Sequence, residues 1–578
     1  MPNVRVTING VEAAVPANIT VLEAAKFAGI EIPTLCDHPA IEPIGACRIC
    51  LVEIEKQRTL QPACTFPVFE GMVAHTRSEK VVEARRFVLD LLFSERNHFC
   101  MFCQMSESCT LQDLAYEYEL DHWKFNRPMP KFSVDASREY FVMDHNRCIL
   151  CRRCIRVCDE LVGNGTLGLK NRGADSMVTA DMDVPFGESS CISCGTCLQV
   201  CPTGSLADRA SAYMGATAQI DRVKTRCMAC PVGCGTELIV RENRVIRVEG
   251  DWDAEPNKGL LCEIGRFVPL HEKRNRVRQP MVRTDGDWTE VEMEEALGLM
   301  NEKMREAGDD MATIVSGFVT VEEGKALAQS PGAKYLMHPI ASEQSTAKQA
   351  DLDEADLFVV VNTDMTEDYQ VAGFAIKRGV RQRGARLLLI NDAADGEAAD
   401  GEAADGEAAD GLGDWAMRRF GPEDANQAVS IARGAQMPVI VAGPDGAKLA
   451  TELADQIPDA KVLIYTPGGN SRGLYEVGFQ EAFEGQEAAV YHVVAGEISR
   501  ISPELLEQLR QGGTVIVTTS YREPWDEVAD LIVPMPTTFE KSGTTVNADG
   551  MVGQVVVGVI TRAVPTNEIF NSLAELAQ

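Results

Sequence analysis

The sequence lacks three features that would point to common classes of protein. No apolar run of 18 residues occurs in its 578 residues, so no membrane-spanning helix is expected. Positive charge is scarce: Asp and Glu outnumber Lys and Arg by 86 to 55, which gives a net charge of −31. This acidity argues against binding to nucleic acid and against a polybasic membrane anchor. The start MPNVRVTING is strand-like and has no signal-peptide core, so we expect a cytoplasmic protein.

Two further absences concern cofactors. No convincing G-x-G-x-x-G follows a predicted strand, so no nicotinamide or flavin site is expected on this chain. All 19 cysteines lie between Cys36 and Cys262, and none follows Cys262. The first half of the chain therefore carries the distinctive chemistry.

The length predicts several domains. Residues 1–78 have a β-rich pattern, in which an Asn9-Gly10 turn predicts a hairpin and Thr20 with Glu23 predicts a capped helix. A second helix is expected over Glu79–Phe93. Short helical pieces separate the cysteines of residues 138–215, and another cysteine-bearing unit covers residues 220–275.

From residue 276 onward the pattern changes to alternating strands and helices. Six buried runs, among them DLFVVVN and GTVIVTT, predict strands of α/β units on a mostly parallel sheet. Between two of them lies the acidic repeat DGEAADGEAADGEAADG, which has no large apolar side chains. We expect a disordered loop over residues 393–411.

The spacing of the cysteines indicates metal sites. C-x2-C pairs in a large chain favour metal over disulfides, and structural zinc is one alternative because it uses the same pairs. The N-terminal set consists of Cys36, Cys47, Cys50 and Cys64. Four thiolates on the loops of a β-rich domain suit a [2Fe–2S] cluster, and the small residues of GACRIC let backbone N–H groups approach it.

The strongest motif is a pair of C-x2-C-x2-C-x3-C runs, CILCRRCIRVC and CISCGTCLQVCP. This spacing is the signature of bacterial two-cluster ferredoxins, in which the fourth cysteine of each run binds the other cluster. We therefore predict two [4Fe–4S] sites. The first crossed set is Cys148, Cys151, Cys154 and Cys201, and the second crossed set is Cys158, Cys191, Cys194 and Cys197. Zinc would not require this crossing.

The N-terminal segment VTINGVEAAVPANITVLEAAKFAGIEIPTLCDHPAIEPIGACRICLVEI resembles the ferredoxin domain of the large iron–sulfur subunit of respiratory complex I. The same module occurs in soluble NAD-linked hydrogenases and formate dehydrogenases. The next segment, C-x2-C-x5-C followed by TLQDLA, matches the family region that binds a [4Fe–4S] cluster through three cysteines and one histidine. That histidine usually stands where this chain has Arg96, and His98 lies two residues further on. The histidine set is therefore His98, Cys100, Cys103 and Cys109.

The last set resembles the [4Fe–4S] domain of molybdopterin oxidoreductases. It comprises Cys227, Cys230, Cys234 and Cys262, in CMACPVGCG and GLLCEIGR. The following segments, such as EVADLIVPMPTTFEKSGTTVNADGMVG, also resemble that superfamily. The remaining chain is shorter than a complete bis-pterin enzyme and holds no cysteine for a metal, so a degenerate scaffold without molybdopterin is expected.

Counting ligands supports the choice of His98. Five clusters require 20 ligands and the chain has 19 cysteines, so one ligand must be another residue type. The shortage falls in the histidine set. The cofactors implied are one [2Fe–2S] cluster and four [4Fe–4S] clusters.

The resemblance implies a multidomain chain of α+β and α/β parts. The expected domains are a β-grasp [2Fe–2S] ferredoxin at 1–78, a helical [4Fe–4S] module at 79–137, a two-cluster ferredoxin-like domain at 138–215, a [4Fe–4S] domain at 220–275 and a truncated molybdopterin-oxidoreductase-like α/β domain at 276–578.

The implied function is electron transfer in an NADH-linked complex, with no catalytic residue on this chain. Expected partners are a flavin- and NADH-binding subunit, a thioredoxin-like [2Fe–2S] subunit and a downstream reductase or quinone module. The chain would then lie in the cytoplasm, peripheral to the inner face of the plasma membrane through its partners. Because all eight ferredoxin-like cysteines are present, a soluble formate dehydrogenase, hydrogenase or electron-bifurcating complex is the close alternative. An enzyme with its own molybdenum or tungsten site is the second alternative.

Overall fold

The computed structural model describes residues 2–125, 131–214, 217–338, 345–391, 412, 415–499, 501–561 and 570. The chain divides into two compact units, residues 1–220 and 221–578. The acidic loop predicted at 393–411 lies outside the described residues. Within the described ranges, none of the helices is both long and apolar enough to cross a bilayer.

A five-stranded sheet and one helix form the N-terminal part. Its strands are β1 (Asn3–Ile8), β2 (Val11–Pro16), β3 (Leu51–Ile54), β4 (Gln61–Pro62) and β5 (Met72–His75), in the order β2-β1-β5-β3-β4. The predicted Asn9-Gly10 hairpin is confirmed, and both turn residues have positive φ, as a type I′ turn requires. Helix α1 (Val21–Phe27) begins with the predicted capping box of Thr20 and Glu23. Since β1 and β5 run parallel, the sheet is the mixed sheet of a β-grasp fold.

Two helices follow this sheet. Helix α2 (Glu79–Glu95) confirms the predicted helix, and Ser78 caps it by accepting a hydrogen bond from the Val81 N–H. Helix α3 is shorter (Thr110–Glu117). The buried Arg85 of α2 donates to the Leu51 carbonyl at 2.8 Å and to the Tyr118 hydroxyl at 2.7 Å. This arginine therefore ties α2 both to the β-grasp sheet and to the end of α3.

Short elements make up the two-cluster region. They are β6 (Val134–Asp135), β7 (Phe141–Asp144), α4 (Arg153–Arg156), β8 (Leu167–Lys170), β9 (Met177–Ala180), α5 (Thr196–Gln199) and β10 (Leu206–Asp208). Strands β10, β7 and β6 form one sheet, and β8 with β9 forms a hairpin. A π-helical turn, Val157–Leu161, continues α4.

The second unit opens with an antiparallel meander of β11 (Asp221–Arg226), β12 (Gly235–Arg241) and β13 (Arg244–Gly250). The short helix α6 (Glu263–Arg266) follows. The last set lies at the ends of these elements, because Cys227 follows β11, Cys234 precedes β12 and Cys262 caps α6.

The rest of the second unit is α/β. Its strands are β14 (Met281–Thr284), β15 (Asp287–Glu290), β16 (Met311–Val315), β17 (Ala333–Leu336), β18 (Leu357–Val361), β19 (Arg386–Ile390), β20 (Arg418–Phe420), β21 (Pro438–Ala442), β22 (Lys461–Ile464), β23 (Glu481–Ala482), β24 (Val490–Gly496), β25 (Thr514–Thr519), β26 (Leu531–Pro534), β27 (Gly543–Val546) and β28 (Val552–Val555). Its helices are α7 (Met293–Ala307), α8 (Val321–Ala328), α9 (Gln370–Arg383), α10 (Ala425–Ala432), α11 (Ala447–Ala454), α12 (Ser471–Glu476) and α13 (Pro503–Gln511).

All six predicted strands are present, but they belong to two sheets rather than one. Four lie in a parallel five-stranded sheet, β20-β19-β18-β21-β22. The other two, β24 and β25, lie in an eight-stranded sheet, β15-β14-β26-β25-β24-β16-β17-β23. The expectation of a single sheet is therefore wrong. The two sheets have eight and five strands, and a single twisted sheet of thirteen strands would usually split.

Candidate metal centres

The structure brings the four cysteines of the N-terminal set together. The Cys50 and Cys64 sulfurs lie 3.5 Å apart, and the Cys47 N–H donates to the Cys36 sulfur at 3.3 Å. The thiol of Cys47 and then that of Cys64 lower the pKa of Cys36, assisted by nearby backbone N–H groups. A cluster at this site would thus receive thiolate ligands and N–H donors from the loop between α1 and β3, together with Cys64, which follows β4.

The histidine set surrounds a small cavity. Cys100 and Cys103 flank a single 3-10 turn, and Cys109 directly precedes α3. The His98 Nε2 atom is buried in the wall of this cavity and has no hydrogen-bond partner among the described residues. Burial, with Arg147 and Arg96 nearby, lowers the pKa of His98 to about 3, so its imidazole is neutral. A buried, neutral imidazole nitrogen without a partner fits the requirement for a fourth ligand.

Arg96, at the family's usual histidine position, faces elsewhere. Its guanidinium donates to the His145 carbonyl at 2.7 Å and to the Ser176 carbonyl, and it stacks 4.4 Å from the ring of Phe132. A guanidinium has no lone pair to offer a metal. Arg96 therefore anchors the end of α2 to the two-cluster region, while His98 lines the cavity.

The loop after Cys201 closes the same cavity. Gly204 lines it, and a Cβ atom on Gly204 would lie 2.4 Å from the Cys103 sulfur. The Cys109 sulfur lies 3.6 Å from the Pro202 carbonyl oxygen, which also accepts a hydrogen bond from the Leu111 N–H at 3.2 Å. A side chain at position 204 would intrude on the ligand sulfur. No sequence pattern singled out this glycine, because its neighbour lies about a hundred residues earlier.

The first crossed set lies around one small cavity, lined by all four of its cysteines. Leu150 and Arg152 have positive φ values of 54° and 62°. This conformation lets the Leu150 N–H donate to the Cys148 sulfur at 3.3 Å. The run therefore folds around its cavity with backbone donors directed inward.

The second crossed set surrounds a separate small cavity. Cys158 reaches it from the π-helical turn after α4, whereas Cys201 of the other run lines the first cavity. Ser193 and Gly195 have positive φ values of 52° and 68°. The structure thus places the fourth cysteine of each run with the first three of the other.

The last set is held in the second unit. The Cys227 N–H donates to the Cys234 carbonyl at 2.9 Å, and the Gly265 N–H donates to the Cys262 sulfur at 3.3 Å. A Cβ atom on Gly265 would lie 3.5 Å from the Cys227 sulfur and 3.7 Å from the Cys262 sulfur. Cys230 completes the group: burial, and then the nearness of Cys262 and Cys227, raises the pKa of its thiol.

Burial controls the protonation of these thiols. It raises the pKa of Cys109, Cys151, Cys191 and Cys227 to about 12. Such thiols stay protonated unless a cationic centre stabilises their thiolates, which iron ions do. Within the described ranges, no group of three or more His, Cys, Asp or Glu side chains is arranged to hold a single metal ion.

Two functional candidates escaped sequence reasoning. Arg153 and Arg156 are buried beside the first crossed set, and their guanidinium groups donate to backbone carbonyls of residues 36–42. The only signal was the presence of arginines between the cysteines of CILCRRCIRVC. That pattern does not reveal a contact across more than a hundred residues.

Family models match five consecutive parts of the chain. They describe a 2Fe-2S iron-sulfur cluster binding domain at residues 2–79, an NADH-ubiquinone oxidoreductase-G iron-sulfur binding region at 85–123, a ferredoxin-like domain of NADH-quinone oxidoreductase subunit 3 at 139–207, a molybdopterin oxidoreductase Fe4S4 domain at 220–273 and a molybdopterin oxidoreductase domain at 276–411. The chain belongs to the family of large iron–sulfur subunits of NADH-quinone oxidoreductase.

Relatives of this family match different lengths of the chain. An NADH-quinone oxidoreductase G-type subunit of Rhizobium meliloti is 32% identical over 67% of this chain and 48% of its own length. NADH-quinone oxidoreductase subunit 3 of Thermus thermophilus is 28% identical over 95% of this chain and 79% of its own length. The chain thus spans about half of the first relative. Among solved structures, a chain of an NAD+-reducing [NiFe]-hydrogenase is 34% identical, with a TM-score of 0.35 over 36% of this chain and 89% of that chain.

Membership of the large iron–sulfur subunit family agrees with the resemblance drawn from the sequence. The predicted fold class is also confirmed, with a [2Fe–2S] ferredoxin domain, [4Fe–4S] domains and a molybdopterin-oxidoreductase domain. Binding of [2Fe–2S] and [4Fe–4S] clusters is supported by the same matches.

Proposed function

We propose that this chain relays single electrons within an NADH-linked oxidoreductase complex, from a flavin-carrying partner to a downstream acceptor. Five sets of four ligands carry the proposal: four sets lie in the first unit and one in the second. The N-terminal set would hold a [2Fe–2S] cluster, and the other four would each hold a [4Fe–4S] cluster. These clusters supply one-electron chemistry, which the protein tunes through burial, hydrogen bonds and ligand type.

The chain's own residues have defined tasks in this proposal. The cysteines supply thiolates, and buried backbone N–H groups such as those of Leu150 and Gly265 donate to their sulfurs. Buried walls exclude water from the sites. Electrons would enter from a flavin- and NADH-binding subunit with a thioredoxin-like [2Fe–2S] subunit, and would leave toward a reductase or quinone module. We place the complex in the cytoplasm, peripheral to the inner membrane face.

Metal analysis of the anaerobically purified chain tests the cluster count. One two-iron and four four-iron centres predict about eighteen iron atoms per chain. Iron well below that value would contradict five clusters. Stoichiometric zinc without iron–sulfur absorption would favour a zinc scaffold, and molybdenum or tungsten near one atom per chain would contradict a pure relay.

A His98→Ala variant tests the unusual ligand. The orphaned Nε2 atom predicts that the variant alters the electron paramagnetic resonance (EPR) signal of one [4Fe–4S] centre and leaves the other four intact. Arg96→Lys is the matched control, because that side chain faces away from the cavity and keeps its charge. Five unchanged signals in the alanine variant would contradict the assignment.

A second candidate function rests on the completeness of the second crossed set. Its four cysteines surround a cavity of their own. By the resemblance drawn from the sequence, a full set of eight is typical of formate dehydrogenase α subunits and iron hydrogenases. The proteins that co-purify with the chain separate the two: antiporter-like membrane subunits support the first function, and a soluble formate dehydrogenase, hydrogenase or bifurcating reductase supports the second.

A further inference from the structure

Two buried arginines separate the N-terminal set from the first crossed set. Both belong to α4, which also carries Cys154. The Arg156 guanidinium donates to the carbonyls of Cys36 and Glu42, and the Arg153 guanidinium donates to the carbonyl of Asp37. Their side chains therefore span the space between the ligands of two different centres.

Arg153 contacts both centres. At one end its guanidinium meets the carbonyl of Asp37, the neighbour of the ligand Cys36. At the other end its backbone is joined by one peptide bond to the ligand Cys154 of the first crossed set. A short route of covalent and hydrogen bonds thus joins the loop of the N-terminal set to the first crossed set.

The two guanidinium groups are not directly paired with a carboxylate in the part of the chain that the structure describes. Each arginine is less than one-tenth exposed, and the hydrogen bonds of both side chains go to neutral backbone carbonyls. The Asp37 carboxylate interacts with both charges at longer range.

A buried charge without an ion-pair partner is costly, and arginine remains protonated in proteins. Thiolate-ligated iron–sulfur centres are anionic, and reduction makes each of them one charge more negative. The two arginines are placed between two such centres, where each guanidinium would offset that charge.

We propose that Arg153 and Arg156 are positioning residues that would serve as shared counter-ions of the N-terminal and first crossed centres and raise both reduction potentials. This inference rests on the proposed function.

The test is an EPR-monitored redox titration of the full chain, purified anaerobically with its clusters. Arg153→Gln and Arg156→Gln keep amide donors for the carbonyls and remove the charge. Each should lower the reduced-to-oxidised ratio of the two flanking centres about tenfold at a fixed potential, which is about 59 mV for a one-electron couple. The other three centres should not shift.

Two kinds of control isolate the charge. Arg153→Lys and Arg156→Lys retain it and should stay within about twofold of the unmodified ratio. Gln199→Met changes the position equivalent to Arg156 in the other run without changing charge, and should leave all five midpoints in place. Unchanged midpoints in a glutamine variant with full iron content, or an equal shift of all five, would overturn the inference. The relay function would stand in both cases because the centres still reduce.

The unmodified chain provides a second test that needs no variant. Arginines shared by the two centres predict that these centres are neighbours, so the [2Fe–2S] signal should relax faster once the first crossed centre is reduced, and reduction of the second crossed centre should add less. If relaxation of the [2Fe–2S] signal is indifferent to the state of the first crossed centre, the shared counter-ion role is overturned, even where the arginine variants fail to assemble. Absence of reducible centres would instead contradict the proposed function.

Discussion

The two cysteine runs of the ferredoxin-like region have the same backbone conformation, but the residues between their cysteines differ in charge. In each run, the second residue after the first cysteine and the residue after the second cysteine have positive φ: Leu150 and Arg152 in one run, Ser193 and Gly195 in the other. Each run then enters a four-residue helix, α4 or α5. At equivalent positions, however, Arg153 corresponds to Thr196 and Arg156 corresponds to Gln199.

This difference separates two tasks that a single motif performs. The cysteine spacing and the turns shape a cavity and direct N–H groups into it, and both runs do this alike. The residues between the cysteines set the surrounding charge. Thr196 is fully buried and its hydroxyl has no hydrogen-bond partner within the described residues, whereas the arginines donate to carbonyls of the β-grasp domain. We expect the two centres to differ in reduction potential for this reason.

The largest expected effect concerns the crossed ligands. Cys201→Ser should abolish or strongly perturb the first crossed centre, although Cys201 belongs to the run that supplies three cysteines of the second crossed set. Cys158→Ser should do the same to the second crossed centre. Iron analysis should show a loss of up to about four atoms per chain, and EPR spectra should identify which signal disappears. If each variant affected the centre of its own run instead, the crossed arrangement would be contradicted.

Cysteine spacing is a local property, so the sequence alone groups the cysteines into sets, and their roles as ligands stay a prediction. The crossing follows from the repeated C-x2-C-x2-C-x3-C spacing, and the two halves do meet in the cavities described. The capping box at Thr20 and the turn at Asn9-Gly10 are likewise local.

Other features depend on distant contacts and could not be predicted. Arg156 meets Cys36 from 120 residues away, and Gly204 adjoins Cys103 across the chain. The division of the α/β strands into two sheets also depends on how the chain returns after β22. Only the packing distinguishes His98, which faces its cavity, from Arg96, which does not.

An intermediate effect should follow from moving charge into the neutral run. Gln199→Arg places a guanidinium at the half-buried position equivalent to Arg156. It should raise the reduced-to-oxidised ratio of the nearest centre about threefold at a fixed potential, or about 28 mV for one electron. The effect should be smaller than the effect of removing Arg156, because a charge at the half-buried position 199 is better screened than one at the buried position 156. Redox titration of Gln199→Lys provides the matched control, and a fall in the ratio would contradict the electrostatic explanation.

The smallest effect concerns the backbone that the runs share. Gly195→Ala places a Cβ atom at a φ of 68° and should destabilise the chain by about 1 kcal/mol. Arg152→Gly, at the equivalent position, should stabilise it by less than about 1 kcal/mol, since the entropy of glycine in the unfolded chain offsets part of the relief. The denaturant midpoint for loss of cluster absorbance measures both. Equal effects of the same sign would contradict a shared backbone geometry.

The loop from Cys201 to Gly204 has a consequence for spacing. Cys201 is a ligand of the first crossed set, and Gly204, three residues later, is part of the wall around the histidine set. Three residues of extended chain span at most about 11 Å, so this peptide limits the distance between the two proposed centres. An insertion here would leave every ligand unchanged and would still lengthen the distance between the two centres. The loop's length, as much as its chemistry, is therefore a constraint on this protein.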